Sequence, residues 1–442
     1  MNSQDPRPSL RVVDIISLTV GTVIGVGIFR APGSVANGID SETAVLLLWL
    51  AGGLVSIVGA LVYAELASAF PSAGGEYHFI GKAFGRQMAF MYAWGRATVI
   101  LPGSIAVLAL TFGDYMTHLL PLGEHSTTLW ALFAALACTG INFAGIRRAL
   151  LAQGLLLLAD ALCLGALIAA PFFINAAPAA SAATTNAATL SPNWGLAMVF
   201  VLFTYGGWNE AAYVSAEARD RQRGVLWGLV IGLTVITALY LAVNYAYLKG
   251  LGLAGLAQSA TPAASLLEAA FGPMSRTLVS AFIALSALKS VNATVFFGAR
   301  TYFALGRDLS GLRWLGDWEG QGGPRRALLV QAVITLSLIG LSALAHDGFT
   351  AAVEFTAPAF WFFILLVSLA IFRLRGHPDR KPGFLVPGYP VLPLVFTAAS
   401  AWLLYSSVSY HGMSSLVGVG YLLCGLVPMS LLLRPRRAEA GA

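Results

Sequence analysis

Long apolar stretches dominate this chain, and short polar or charged segments separate them. A helix of about 20 consecutive apolar residues can cross a bilayer. Twelve stretches approach or exceed this length, at roughly residues 12–37, 42–70, 86–119, 127–145, 148–174, 194–217, 224–249, 276–306, 326–346, 350–373, 388–410 and 412–433. We therefore predict an all-α polytopic membrane protein with twelve transmembrane helices, called segments one to twelve below. The whole chain, 1–442, is predicted to be a single transmembrane domain.

Glycines interrupt segments one and six near the middle of each. Segment one contains Gly21-Thr-Val-Ile-Gly25-Val-Gly27-Ile-Phe29, and segment six contains Phe203-Thr-Tyr-Gly206-Gly207-Trp208-Asn209. Backbone groups freed inside a membrane are tolerated only where they line a cavity or are buried in protein. Many secondary transporters bind a small charged solute at such breaks. One glycine pair alone also fits a helix-packing face, but two breaks at matching depth favour a substrate site.

The positions of the breaks also indicate an internal repeat. Residues 12–174 and 194–373 each hold five segments, and the broken segment comes first in both sets. With five helices in each unit, the second unit enters the membrane from the opposite side, which is the inverted-repeat pattern of several transporters. We predict this 5+5 arrangement, with segments eleven and twelve (388–433) appended. The Ala-, Thr- and Ser-rich stretch 175–192 is predicted to be an external connector.

Composition and charge narrow the class of protein. Of the 442 residues, 57% are hydrophobic and 10% are charged, and the net charge is +6. If both termini are cytoplasmic, most basic residues fall in cytoplasmic loops, as the positive-inside rule requires; they include Arg219, Arg221, Arg223, Arg325, Arg326, Arg373, Arg375, Arg380 and Lys381. The positive charge therefore does not indicate a nucleic-acid partner. We predict a multi-pass protein of the cytoplasmic (inner) membrane.

Cysteine and histidine give no signal for a cofactor or a metal. Cys138, Cys163 and Cys424 all lie within predicted segments, so nothing indicates a disulfide-linked accessory subunit. The six histidines lack the spacing of a metal site. The sequence also offers no nucleophile and base pair in an aqueous context. We expect no cofactor, no bound metal and no enzymatic activity.

Several motifs taken together resemble one transporter family. They are the glycine run from Gly21 to Phe29, Tyr63-Ala-Glu-Leu66, Pro71-Ser-Ala-Gly-Gly-Glu-Tyr77, Tyr205-Gly-Gly-Trp-Asn209 and Ser290-Val-Asn292. The combination resembles the amino acid–polyamine–organocation (APC) transporters, and most closely their L-type amino acid transporter branch. The stretch from Leu374 to Pro390 matches the same branch. The resemblance covers nearly the whole chain and implies the LeuT-type fold with broken helices one and six.

The resemblance implies that an amino acid lies between the two broken helices. The binding residues it implies are Thr22, Val23, Gly25, Val26, Gly27, Phe203, Tyr205, Gly206 and Asn292. The amides of Val26 and Gly27 would hold the carboxylate, and carbonyls including that of Val23 would hold the ammonium. This assignment agrees with the preference of helix N-termini for anions and of C-termini for cations. Relatives often carry a small or hydroxyl residue at the position of Val26, and Asn292 is equally well placed to bond a neighbouring helix.

Four residues are predicted to gate the site. Phe203 corresponds to an aromatic gate over the substrate and Trp361 to a second gating aromatic, although either ring could simply pack between helices. Arg30 and Glu354 are predicted near the outer ends of segments one and ten. We expect them to pair when an external vestibule closes. The alternative is two hydrated interfacial charges, worth about 0–1 kcal/mol if they meet.

A further pair of charges suggests how transport is coupled. In the branch that the chain resembles, segment five carries a lysine seven residues after a glutamine, where sodium-coupled relatives hold a cation. Here the glutamine is Gln153 and the later residue is Asp160, whereas Lys289 lies on segment eight. We hypothesise that the cation has moved to Lys289, pairs with Asp160, replaces a bound sodium ion and allows proton coupling. A permanent structural ion pair is the alternative.

These features predict a secondary active transporter, either a permease or an exchanger, for L-amino acids. It is expected to work by alternating access, to be sodium-independent, and to have an amino acid and membrane lipid as its partners. A transporter of polyamines or cationic amines with the same fold is an alternative, which Glu210 and Glu354 favour. A membrane sensor that binds an amino acid without moving it is a second alternative.

Overall fold

A computed structural model describes most of the chain. The described residues are 12–71, 75–144, 160–174, 193–209, 224–308, 310–317, 325–343, 347–409 and 413–432. Gln153 and Glu210, which the sequence singled out, lie outside this part, as do 175–192 and both chain ends. For Thr22 the backbone is described but the side chain is not.

The described residues form helices joined by short connections, and no strand occurs among them. The helices are α1 (Val12–Val23), α2 (Gly27–Asn37), α3 (Glu42–Ala69), α4 (Gly75–Phe84), α5 (Arg86–Gly95), α6 (Leu101–Leu119), α7 (Ser126–Ala144), α8 (Asp160–Phe173), α9 (Trp194–Thr204), α10 (Gly224–Gln258), α11 (Pro262–Phe271), α12 (Pro273–Asp308), α13 (Arg325–Ser342), α14 (Gly348–Leu374), α15 (Val391–Ser409), α16 (Met413–Cys424) and α17 (Leu426–Leu432). A π-helical turn, Arg96–Ile100, joins α5 to α6.

Each of the twelve predicted segments contains at least one of these helices. Eight spans are long and apolar enough to cross a membrane without interruption: Glu42–Ala69, Arg86–Leu119, Ser126–Phe143, Gly224–Gln258, Pro273–Phe303, Arg325–Ser342, Gly348–Leu374 and Val391–Ser409. The remaining apolar helices are shorter. The all-α polytopic class is therefore confirmed, while the count of twelve crossings and the inverted repeat stay predictions.

The outer surface suits a lipid environment. Large apolar side chains are exposed along several of the long helices, among them Leu54 on α3, Phe133 and Leu136 on α7, and Val235 on α10. In water such a surface would be unfavourable, but in a bilayer the lipid tails cover it. Inside, small residues allow close helix contact: a Cβ added to Gly53 on α3 would lie 2.3 Å from Thr237 Oγ1 on α10. These two helices are therefore held at close range beside the first break.

A buried carboxylate ties the connection after α14 to α3. Glu65, which is 1% exposed, accepts a hydrogen bond from the backbone amide of Val386 at 2.7 Å. Its carboxylate also lies 3.4 Å from Arg375 Nε and 3.4 Å from Arg380 Nη2. The guanidinium of Arg375 in turn stacks on Tyr389 at 3.6 Å. Because two arginines and an amide compensate Glu65, the segment 375–390 is fixed against the helical body.

Candidate functional site

The first helix break exposes four consecutive backbone amides. α1 ends at Val23 and α2 begins at Gly27, and the intervening Ile24 still donates to the Val20 carbonyl at 2.8 Å. Phe29 is the next residue whose amide finds an acceptor in this stretch, the Val26 carbonyl at 3.1 Å. Among the described residues, the amides of Gly25, Val26, Gly27 and Ile28 therefore have no hydrogen-bond acceptor. The start of α2 is a set of free donors at the positive end of a helix.

The second break follows α9. After Thr204 the helix closes with hydrogen bonds from Tyr205 N to the Val201 carbonyl and from Gly206 N to the Phe203 carbonyl, each 3.0 Å long. Gly207 then adopts a φ of 109°, a left-handed conformation that glycine accepts without strain. The chain changes direction at this glycine, and Trp208 and Asn209 follow before the described part of this segment ends.

The two breaks lie against each other. A Cβ added to Gly27 would be 3.2 Å from Thr204 Cγ2, so the absence of a side chain at Gly27 permits this close approach. The Tyr240 hydroxyl, on α10, lies 2.9 Å from the Val23 carbonyl and 3.3 Å from the Thr204 carbonyl. A phenol has one proton, which these two acceptors share. Tyr240 therefore bridges the carbonyl ends of α1 and α9.

Within this small region, one set of backbone groups favours a negative charge and another favours a positive charge. The free amides at the start of α2 favour an anion, whereas the last carbonyls of α1 and α9 favour a cation. Each carbonyl oxygen has two lone pairs, so a carbonyl that already accepts one hydrogen bond can accept another. A zwitterion with its carboxylate and ammonium close together fits this pattern.

The structure assigns two predicted binding side chains to other contacts. The Tyr205 ring is fully buried, and its hydroxyl donates to the Trp49 carbonyl on α3 at 3.0 Å. The ring packs against that of Tyr240 at a centroid distance of 5.1 Å. Asn292 Oδ1 accepts a hydrogen bond from Asn142 Nδ2 at 2.8 Å and links α12 to α7. This is the helix-to-helix alternative for Asn292. Both side chains are occupied because a buried hydroxyl or amide needs a partner.

A narrow cavity lies beside the second break. Its lining comes from four parts of the fold: Val55 and Ser56 on α3, Leu202, Gly206 and Trp208 around the break, Phe360, Trp361 and Ile364 on α14, and Phe396 on α15. The cavity has room for about one water molecule, about 10 Å³. In this conformation it is too small for an amino acid. The predicted gating residue Trp361 contributes to its wall, and Phe203 lies half-buried in the last turn of α9.

In the first turn of α2, Arg30 bridges two carboxylates that the sequence did not pair with it. Arg30 Nε lies 3.0 Å from Asp114 Oδ2 on α6, and Nη2 lies 3.2 Å from Asp347 Oδ2 at the start of α14. In this conformation the ion-pair partners of Arg30 are Asp114 and Asp347 rather than Glu354, and the pairing of Arg30 with Glu354 stays a prediction. Asp347 accepts from the Phe349 amide as the N-cap of α14 and is the carboxylate of that helix which reaches α2. Glu354 lies about two turns further along α14.

The charges predicted on segments five and eight lie in contact. Lys289 Nζ is 2.6 Å from Asp160 Oδ2, and the Ser286 hydroxyl donates to the other carboxylate oxygen. Both side chains are largely buried, with exposed fractions of 12% and 2%. The pair joins α8 to α12. The predicted contact is present, whereas its part in coupling stays a prediction.

Comparison with known proteins identifies the family. The sequence profile of the amino acid permease family matches residues 10–409. This chain belongs to the amino acid permease family. Its relatives include the serine/threonine exchanger SteT of Bacillus subtilis, 26% identical over 431 residues, with 96% of each chain covered.

Mammalian relatives are similar at the same level. The permease is 26% identical over 426 residues to the b(0,+)-type amino acid transporter 1 of Homo sapiens, covering 92% of this chain and 85% of the relative. It is 30% identical over 312 residues to the large neutral amino acids transporter small subunit 2 of Homo sapiens, covering 68% of this chain and 58% of the relative. The family and these relatives are transporters rather than enzymes.

The permease contains site residues that sequence reasoning missed. Tyr240 and Tyr247 are two helical turns apart on α10 and both point at the first broken helix; Tyr247 OH lies 3.3 Å from the Ile28 carbonyl. That carbonyl has no partner four residues later, because Pro32 lacks an N–H. Tyr115 on α6 donates to the Phe29 carbonyl at 2.7 Å. The recurrence of tyrosine at positions 240 and 247 of an apolar helix is the signal that could have found them.

Three glycine substitutions test whether the free amides bind the substrate. A Cβ on Gly25 would have open space, with its nearest neighbour, the Val23 carbonyl, 4.0 Å away. Gly25→Val is therefore expected to weaken amino acid binding at least tenfold, about 1.4 kcal/mol, without lowering the melting temperature. Gly27→Val should lower the melting temperature, because it pushes against Thr204.

Gly165→Val is the matched control, since Gly165 on α8 also has no neighbour within 4 Å and lies away from the breaks. Binding is measured with whichever radiolabelled L-amino acid the purified wild type binds best. If Gly25→Val and Gly165→Val bind this amino acid equally well, the four amides are not its site.

Proposed function

We propose that this permease is a secondary active exchanger of L-amino acids, working by alternating access and independently of sodium. The observation that carries the proposal is the pair of opposed helix breaks, bridged by Tyr240, with four unpaired amides on one side and helix-end carbonyls on the other. An α-amino acid carries one anionic and one cationic group, both attached to its α-carbon. It therefore satisfies both ends of this site at once.

The proposed binding mode uses backbone groups almost alone. The substrate carboxylate accepts from the amides of Val26 and Gly27, and from those of Gly25 and Ile28 where geometry permits. The ammonium donates to carbonyls of Val23, Phe203 and Gly206. Because Val26 offers no hydroxyl, recognition of the carboxylate falls to the main chain. The substrate side chain would then enlarge the cavity beside Gly206, with Phe203 and Trp361 as gating rings.

Arg30 supports closure of the outer side. Its guanidinium joins α2 to both α6 and α14, and it lies 4.7 Å from the ring of Phe349. Phe349 stacks with Phe200 on α9 at a ring separation of 6.2 Å. Arg30 therefore connects four helices around the two breaks. We propose that this cluster is the outer gate and that it separates when the site opens outward.

The Asp160–Lys289 pair supports transport without sodium. The ammonium of Lys289, held by the carboxylate of Asp160 between α8 and α12, supplies a positive charge in the membrane interior. Such a charge substitutes for a bound cation near the broken helix, and a proton shared within the pair provides a route to proton coupling. The same contact also fits a purely structural ion pair. The pH dependence of uptake in the double variant, described below, distinguishes a coupling role from a structural one.

Localisation and partners follow from the sequence and from the relatives. The distribution of basic residues supports a multi-pass protein of the cytoplasmic membrane with both termini inside. Relatives named as amino acid transporters and exchangers support an amino acid as the substrate. Cys138 and Cys163 are buried and Cys424 on α16 is exposed. That no accessory subunit is attached through a disulfide stays an expectation from the sequence.

The proposed function predicts exchange in a reconstituted system. Purified protein in liposomes loaded with unlabelled L-amino acids should take up a labelled L-amino acid at least tenfold faster than in empty liposomes. Replacing sodium by choline should leave the rate unchanged. Uptake of each compound in a panel of labelled L-amino acids and putrescine then identifies the class of substrate. Saturable binding without loading-dependent uptake would instead indicate a sensor, and uptake of putrescine alone would indicate an amine transporter.

The outer gate predicts that Arg30→Gln impairs exchange more than a comparable substitution nearby. Arg30→Gln leaves Asp114 and Asp347 without their shared cation, so we expect exchange to fall at least tenfold. Arg276→Gln is the control, because Arg276 also pairs with a carboxylate, Glu268 at 2.7 Å, without joining α2 to α14. Equal exchange by the two variants would contradict the gate.

The ion pair predicts non-additive effects of substitution. Removing one partner leaves a buried charge uncompensated, at a cost of about 3–5 kcal/mol. Asp160→Asn and Lys289→Met should therefore each destabilise the protein more than the double variant does. Asp317→Asn is the control, because it breaks the exposed Asp317–Arg326 pair and should cost at most about 1 kcal/mol.

The same variants decide between coupling and structure. If the pair couples transport, wild-type uptake should depend on pH, and the stable double variant should exchange amino acids without that dependence. Full pH dependence in the double variant would make the pair structural. Strict sodium dependence of the wild type would contradict the replacement of sodium by Lys289.

A further inference from the structure

Another buried carboxylate lies near the second break, which follows α9. Glu76 is on the short helix α4 and is 4% exposed. It accepts hydrogen bonds from the phenols of Tyr63 on α3, at 2.5 Å, and Tyr92 on α5. Asn209 Nδ2 donates to the same carboxylate at 3.0 Å. One side chain thus gathers donors from two helices and from the segment that follows Gly206 and Gly207.

The carboxylate also has a resident countercharge. Arg96 Nη1 lies 3.9 Å from Glu76 Oε2 and donates to the Tyr92 hydroxyl at 3.3 Å. Arg96 begins the π-helical turn between α5 and α6, an irregularity that often occurs at functional positions. Because Arg96 comes from the same helical span as Tyr92, it stays beside Glu76 whether or not Asn209 is present. Glu76 can therefore release Asn209 without becoming a buried charge with no compensation.

The segment held by Glu76 also forms the wall of the cavity. Trp208 packs edge-on against the Tyr63 ring at 4.9 Å and lines the cavity beside Gly206. Gly207, with its φ of 109°, separates this segment from α9. Because no helical hydrogen bonds continue through such a break, the direction of α9 does not determine the positions of Trp208 and Asn209. Tertiary contacts must therefore fix where these two residues lie. The contacts of Glu76 and Tyr63 provide that fixation.

We propose that Glu76 is a positioning residue, called the latch below. It holds Trp208 and Asn209, the residues that follow the second break, against α3 and α5. Release of Asn209 from Glu76 lets Trp208 move away from Tyr63 and opens the site toward the end of the molecule where α4 lies. The latch rests on the proposed transport function for its purpose. Its structural effect can be measured without a substrate.

A reciprocal exchange of the carboxylate and the amide tests the latch. Glu76→Gln places an amide opposite the Asn209 amide, and Asn209→Asp places a carboxylate opposite Glu76. Each single variant should raise the hydrogen–deuterium exchange rate of residues 203–209 at least fivefold in the full-length protein in nanodiscs. The double variant restores an amide–carboxylate pair in the opposite direction and should return to within twofold of the wild type. Peptides from α7 (Ser126–Ala144), which packs on α6, α12 and α13, should not change.

Transport gives a second readout. In liposomes the single variants should lower the maximal exchange rate at least fivefold while changing the KM less than twofold, and the double variant should recover most of the rate. Glu268→Gln, which neutralises a carboxylate on α11 away from the break, is the control. Tyr63→Phe removes one hydrogen-bond donor to Glu76 and keeps the ring. It should raise the hydrogen–deuterium exchange rate of residues 203–209 less than Glu76→Gln does, and it replaces Glu76→Gln in the test if that variant does not fold.

Additive effects in the double variant, or unchanged hydrogen exchange at 203–209 in all single variants, would overturn the latch. The hydrogen-exchange readout also separates the latch from the proposed function. A wild type that transports no amino acid would refute the function. The exchange rates of residues 203–209 would still decide whether Glu76 holds them.

Discussion

The fold depends on how it satisfies backbone groups that two broken helices leave unpaired inside a membrane. In hydrocarbon such a group costs several kcal/mol, so each freed carbonyl needs a donor. Tyrosines from neighbouring helices donate to carbonyls in this region: Tyr240 to Val23 and Thr204, Tyr247 to Ile28 and Tyr115 to Phe29. Four amides at the start of α2 remain without acceptors among the described residues. That asymmetry between satisfied carbonyls and free amides is what makes the region a candidate for binding an anion.

Buried charges connect the helices around this region. Arg30 joins α2 to α6 and α14, Lys289 and Asp160 join α12 to α8, and Glu76 joins α4 to α3, α5 and the segment after the second break. A buried charge is costly unless it is paired, so each of these contacts strongly favours one arrangement of its helices. A transporter must interconvert two arrangements of its helices. Forming or breaking these contacts would change the relative stability of the two arrangements more than other contacts would.

The sequence predicted the all-α membrane class because hydrophobic length is a local property. The break after Val23 was placed correctly, and α9 ends at Thr204, just before Gly206, although residues 210–217 of the same segment lie outside the described part. Lys289 was matched with Asp160 because both lie at similar depth on apolar helices. The sequence did not show contacts that depend on tertiary distance. Arg30 was assigned to Glu354, and the carboxylate of that helix which Arg30 contacts here is Asp347. Tyr205 was placed in the site from its position in the motif, and its hydroxyl donates to the Trp49 carbonyl. No periodicity shows that Glu76, more than a hundred residues away, meets Asn209.

The most direct measurement is a structure of the protein with the transported amino acid bound. We expect the carboxylate oxygens to lie about 3 Å from at least two of the amide nitrogens of Gly25, Val26, Gly27 and Ile28. We also expect the ammonium to lie within hydrogen-bond distance of carbonyls at the ends of α1 and α9. An amino acid bound away from these amides, or amides paired with the protein's own carbonyls in the bound state, would contradict the proposed site.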